Sequence, residues 1–84
     1  MDDDYELIQK LNRLDTSVLA EIFDRYYDPI YRYIYVHVSH IETAEDLAAQ
    51  VFQRLLESIQ TGRSPQHYLK AWLFRIAHNL IVDD

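Results

Sequence analysis

The sequence predicts an all-α fold, a small bundle of four helices. Three observations predict it. Apolar residues recur at spacings of three and four along most of the 84 residues. Helix breakers are scarce, since the only glycine is Gly62 and the only prolines are Pro29 and Pro65. No segment alternates apolar and polar residues for long except IYRYIYVHV at 30–38. That run has period-two character with β-branched and aromatic residues, but its phase continues that of the preceding turns, which favours helix.

The first helix is expected over residues 4–12, with Leu7, Ile8, Leu11 and Leu14 as its apolar side. Asp2, Asp3 and Asp4 stand at its N-terminal end, where carboxylates favour the helix dipole. A polar turn from Asn12 to Thr16 follows, in which Asp15 or Thr16 can cap the next helix. The second helix runs from Ser17 to Val38 on a stripe of Leu19, Ile22, Phe23, Tyr26, Ile30, Tyr33, Ile34 and Val38. Pro29 lies inside it, so the segment is either one kinked helix or two helices that break at Tyr27–Asp28. The uninterrupted phase favours the first. Tyr26 and Tyr33 are expected in the core, with Tyr27, Tyr31 and Tyr35 lateral.

A third helix starts at Thr43, with Asp46 three residues on in an approximate capping box. Its stripe is Leu47, Ala48, Val51, Phe52, Leu55, Leu56 and Ile59. Glu45, Asp46, Ala49, Gln50, Gln53, Arg54 and Glu57 lie off or beside it. After the short loop QTGRS at 60–64, a fourth helix is expected from Ser64 to Asp84, with Ser64 as cap and Pro65 at the first helical position. Its stripe is Leu69, Trp72, Leu73, Ile76, Ala77, Leu80 and Ile81, and Trp72, the only tryptophan, is expected to anchor the core. Phe23, Tyr26, Leu47, Phe52 and Ile76 complete the expected core set. Lys70, Arg75, Asn79 and Asp83 fall outside the stripe, and the last three share one polar face.

Residues 1–84 are expected to form one domain. The net charge is -6, unevenly spread: -5 over residues 1–30, -2 over 31–60 and +1 over 61–84. A duplex-DNA binder that works alone carries a basic footprint, which this chain lacks, so any nucleic-acid contact belongs to the last third. The acidic first half suits a basic protein partner, or serves solubility alone. There is no cysteine, hence no disulfide or thiolate metal site, which fits a reducing compartment. MDDDYE at the N-terminus has no basic region and no long apolar run follows it, so neither a signal peptide nor a membrane span is expected and the location is expected to be cytoplasmic.

Catalytic and cofactor chemistry finds little footing. His37, His40, His67 and His78 include no pair at the i,i+4 spacing of a zinc-binding helix face, and no HExxH, Gly-rich phosphate loop or GxSxG elbow occurs. The chain is expected to be neither an enzyme nor a cofactor binder. Recognition remains. Arg75 can reach a phosphate or base edge and Asn79 can pair with adenine, although both also suit a solvated helix face, and Asn79 a tie to a neighbouring loop. Arg63, His67 and Tyr68 surround the loop before the last helix, where aromatic and basic groups can stack on splayed bases.

WLFRIAHNLIVDD, from Trp72 to Asp84, resembles the end of the second conserved region of bacterial sigma factors of the extracytoplasmic-function type. Trp72, Leu73, Arg75, Ile76, Ala77, Asn79 and Asp83 match that pattern. AEDLAAQVFQRLLESI at 44–59 and LAEIFDRYYDPIYRYIY at 19–35 resemble the two preceding family helices. The likeness implies a transcription-initiation domain that binds the clamp helices of the RNA polymerase core enzyme and recognises and helps open the promoter -10 element. It assigns the polymerase contact to Glu45, Asp46, Gln50, Gln53 and Arg54. Capture of flipped non-template bases falls to Arg63, Gln66, His67, Tyr68 and Lys70, with Arg75 and Asn79 along the helix. Where the family has Gln–Glu, this chain has Ala49–Gln50, which removes a carboxylate from the expected polymerase surface. Family members continue into basic residues and a second helical domain, so the chain is expected to be a domain excised from a longer protein. The competing readings are a sigma-like domain that binds an anti-sigma factor or itself, and a plain helical packing module.

Overall fold

The computed structural model describes residues 4–13, 15 and 17–83. Four helices occupy them: α1 (Tyr5–Asn12), α2 (Ser17–Val38), α3 (Ile41–Gln60) and α4 (Leu69–Asp83). The fold is the all-α four-helix bundle that the apolar periodicity predicts. α2 is the axis of the bundle: it packs against each of the other three helices, and α3 packs against α4. Its buried residues are Val18, Ile22, Tyr26, Ile30 and Ile34, a strict i,i+4 row. Onto that row close Leu7, Ile8 and Leu11 of α1, Ala44, Leu47, Ala48, Val51 and Leu55 of α3, and Leu69, Leu73, Ala77 and Leu80 of α4. Small residues at 44, 48 and 77 are fully buried, so they mark places where side-chain bulk would not fit.

α2 is continuous through Pro29, so the two-helix alternative is overturned and the run at 30–38 is helical. Pro29 is exposed, which places the missing ladder bond on the solvent side. The Asp15 carboxylate accepts hydrogen bonds from the Ser17 N–H at 3.0 Å and the Ser17 hydroxyl at 2.7 Å, fixing the entry into α2. Leu14, Thr16, Asp2 and Asp3 lie outside the described residues, so their expected roles do too.

Two helix starts differ from expectation by more than one residue. α3 begins at Ile41, two residues before Thr43. His40 is its cap: its backbone is extended (φ -144°, ψ 121°) and its Nδ1 accepts from the Thr43 N–H at 3.2 Å. Histidine is not a usual cap, and the left-handed Ser39 (φ 54°) just before it turns the chain sharply enough to aim the ring at the helix end. α4 begins at Leu69, so Ser64 is not its cap and Pro65 is not in its first turn. Pro65 is buried in an irregular loop, and Tyr68 takes φ 55°, which breaks the helical path before Leu69. A proline that fits a first turn also fits a loop, and here burial of its ring decides.

The core set needs correction at four positions. Tyr26 and Leu47 are buried, but Phe23 is 44% exposed, and Phe52, Trp72 and Ile76 are only partly buried against the core. The inward face of α2 is centred on the Val18–Ile34 row, which rotates Phe23 outward. On α4, Leu73 rather than Trp72 occupies the buried centre. Tyr33, also expected inside, is half-buried and makes an edge-on contact with Phe74 of α4.

Candidate nucleic-acid and protein interfaces

The loop between α3 and α4 is aimed by the end of α3. Gly62 adopts φ 73°, with its N–H donating to the Ile59 carbonyl at 3.3 Å and the Arg63 N–H to the Ser58 carbonyl at 2.7 Å. This pair of bonds is a Schellman closure, which needs a left-handed residue that glycine supplies without strain. From there residues 63–68 cross to Leu69, with Pro65 buried and Gln66, His67 and Tyr68 exposed. Tyr68 is 72% exposed, although aromatic and held in the left-handed region. Its ring and that of His67 stand 6.2 Å apart. Arg63, Lys70 and Arg75 are exposed and make no ion pair with the described residues.

The structure groups the sequence-predicted nucleic-acid residues into two sets. Arg63, Gln66, His67, Tyr68 and Lys70 belong to the loop and the first turn of α4. Arg75 and Asn79 lie one turn apart further along α4, both exposed. At about 100° per residue, Lys70 and Arg75 point about 140° apart around the helix, so one small ligand cannot be held by both.

A cleft of about 180 Å³ lies where this loop meets α1, lined by Tyr5, Ile8 and Gln9 on one side and Gln66, His67 and Tyr68 on the other. The α1 side was not foreseen, because nothing in the spacing of residues 5–9 ties them to a loop sixty residues away. Lys10, on the same helix, is engaged elsewhere. Its ammonium binds the Glu21 carboxylate at 2.9 Å, and that hydrogen bond, then the Glu21 charge, raises its pKa above the ordinary lysine value.

On α3, Glu45, Asp46, Gln53 and Arg54 are exposed and Gln50 is half-exposed, its amide donating to Asp46 at 3.4 Å. Ala49 is exposed among them. Beside this polar face runs an aromatic ladder on α2: Phe23, Tyr27, Tyr31 and Tyr35, each four residues from the next, with centroid distances of 4.8, 6.1 and 6.1 Å. Phe52 of α3 stands 5.1 Å from Phe23 and 6.2 Å from Tyr27, joining the ladder to α3. Burial pushes the Tyr27 phenol above its ordinary value, with the negative charge of Glu45 adding to the effect. The i,i+4 spacing of these four aromatics is visible in the sequence, but the buried Val18–Ile34 row has the same spacing, so spacing alone does not place Phe23 on the surface. Among the described residues, no group of three or more His, Cys, Asp or Glu is arranged to hold a metal ion, and no helix is long and apolar enough to cross a membrane.

The model of the Sigma-70 region 2 family matches residues 22–84. Over 78 residues, 93% of its length, the chain is 37% identical to the ECF RNA polymerase sigma factor BldN of Streptomyces coelicolor, of which it covers 30%. It is 33% identical over 76 residues to the ECF RNA polymerase sigma factor SigW of Bacillus subtilis, a match over 90% of the chain and 40% of that protein. A third relative, the RNA polymerase sigma factor YlaC of Bacillus subtilis, is 29% identical over 65 residues, covering 77% of the chain and 37% of that protein. The chain therefore spans well under half the length of these relatives. No solved structure matches it.

Proposed function

The chain belongs to the Sigma-70 region 2 family, of the extracytoplasmic-function type, and from that premise we propose that it binds the clamp helices of the RNA polymerase core enzyme and captures unpaired non-template bases of the promoter -10 element. The family is one of non-catalytic transcription domains. The observation that carries the reading is the loop before α4, where the exposed rings of His67 and Tyr68 stand between the exposed cations Arg63 and Lys70. Rings hold splayed bases by stacking, and cations hold the backbone between them. Opening is favoured because an extruded base gains a surface that the duplex denies it. A net charge of -6 leaves most phosphate neutralisation to the polymerase, and the domain works in the cytoplasm as part of a longer initiation factor.

The polymerase contact is assigned to the α3 face of Glu45, Asp46, Gln50, Gln53 and Arg54, flanked by the aromatic ladder. Arg75 and Asn79 are assigned to DNA beyond the loop. A second reading has one observation in its favour: the ladder from Phe23 to Tyr35, continued by Phe52, is a partly exposed apolar strip of the kind that holds a protein partner. On that reading the domain binds an anti-sigma factor or a second copy of itself, without direct DNA recognition.

The test is binding to polymerase core enzyme, beside an Ala49→Gln, Gln50→Glu double variant that restores the family's carboxylate. The unmodified chain is expected to bind, and the double variant to bind more tightly, by about 1–3 kcal/mol if the new carboxylate meets a desolvated arginine. Absence of binding by either would remove the polymerase assignment and leave the protein-partner reading.

A further inference from the structure

We infer that α1 forms the second wall of the base-binding cleft, with Tyr5 holding an unpaired nucleobase of single-stranded DNA against Tyr68. This rests on the reading of the loop as the strand-capturing site, and adds to it a helix that precedes the residues matched by the family's model. Tyr5 and Tyr68 line one cleft from opposite sides, and both are largely exposed, at 64% and 72%. Their rings make no contact with one another, and the cleft that both line has a volume of about 180 Å³. Its floor is apolar, formed by Ile8, which is 4% exposed. Gln9 and Gln66 add an amide from each wall, and amides can both donate to and accept from a base edge. Two aromatic faces, an apolar floor and flanking amides form the chemistry that recognises a flat heterocycle.

The placement of Tyr5 is built rather than incidental. Asp4, next to it, is buried at 3% exposure, accepting from the Tyr26 hydroxyl and paired with Arg25 at 3.2 Å. With Leu7 and Ile8 buried on the same side, this pins the start of α1 to α2 and holds Tyr5 outward. Tyr68 is presented by a left-handed backbone, a conformation that an aromatic residue adopts only where the surroundings impose it. Glu6 is exposed beside Tyr5, so a phosphate is repelled from the α1 side and favoured on the loop side, where the exposed Arg63 and Lys70 flank the lining residues in sequence.

The experiment measures binding of a degenerate pool of single-stranded deoxydodecamers, with 5-iodouracil in place of thymine, to the chain in complex with polymerase core enzyme. Unmodified chain is compared with Tyr5→Ala, Tyr5→Phe and Tyr68→Ala, thermal unfolding of each is recorded, and photo-crosslinked residues are mapped. The expected result is a loss on the order of tenfold for Tyr5→Ala and for Tyr68→Ala, near-full retention in Tyr5→Phe, and crosslinks on both Tyr5 and Tyr68. If Tyr68→Ala weakens binding while Tyr5→Ala does not, the loop reading stands and the α1 wall is overturned. An equal loss in Tyr5→Phe and Tyr5→Ala with no crosslink on Tyr5 also overturns it, since a structural effect then explains the loss. If the complex of the unmodified chain gains no affinity for the pool over core enzyme alone, the loop reading falls and the α1 wall with it.

Discussion

The phenol of Tyr26, midway along α2, donates a hydrogen bond to the buried carboxylate of Asp4 at the start of α1. Residues 22 apart in the chain are thereby joined between α1 and α2, with Arg25 also bound to the same carboxylate. α1 is eight residues long, too short to be stable in isolation, so its position depends on such ties and on Leu7, Ile8 and Leu11.

Tyr26→Phe removes that donor and leaves its ring. A buried carboxylate that loses a partner is costly to keep, so a destabilisation of about 1–3 kcal/mol is expected. Urea unfolding checks the magnitude, and hydrogen exchange along residues 5–12 should rise more than exchange in α3. A uniform change across both helices would mean that Tyr26 acts through general packing.

Asp15 sets a pH dependence. Its hydrogen bonds from the Ser17 hydroxyl and then the Ser17 N–H hold its carboxyl below the usual aspartate value. A carboxylate whose folded pKa is depressed contributes stability that is fully present above its unfolded value, near 3.8, and is lost as pH falls through the folded value. Asp15→Ala should therefore unfold at a lower temperature than the unmodified chain near neutrality. The gap should narrow as pH falls below about 4, the ordinary aspartate range. A gap independent of pH would mean that the capping carboxylate contributes nothing through its charge.

Gly62→Ala tests the loop closure. A Cβ at this position meets nothing within 4 Å, so the whole effect comes from φ 73°. Destabilisation of about 1–2 kcal/mol is expected. Gly62→Asn should cost less, because asparagine tolerates the left-handed region better than alanine does. Thermal midpoints of the two variants give the order directly.

Leu73→Ala should be more damaging than Trp72→Ala, although Trp72 is the larger residue. Leu73 is fully buried, and its truncation leaves a cavity worth about 2–5 kcal/mol. Trp72 is only partly buried on the rim of the core, and its loss is expected to cost about 1–2 kcal/mol. Denaturant titration of both variants decides, and the reverse order would return Trp72 to the centre of the core.

The sequence by itself determined the fold class, the full extent of α2 and the outward face of α3. These follow from periodicity and from the near absence of Gly and Pro, which are local properties of each segment. It also carried the family likeness, and with it the loop residues from Arg63 to Lys70 as candidates for DNA contact. Tertiary structure alone decided where α4 starts, because Ser64–Pro65 obeys the rules of a helix start and of a loop equally well until the burial of Pro65 and the turn at Tyr68 are known. It also decided which side of α2 faces inward. Both the Val18–Ile34 row and the Phe23–Tyr35 row repeat every four residues, and only packing against α1, α3 and α4 selects the first for the core and leaves the second as a surface ladder. The cleft between Tyr5 and Tyr68 was illegible for the same reason: no local preference links positions 63 residues apart, and their approach exists only once Asp4 has fastened α1 to α2.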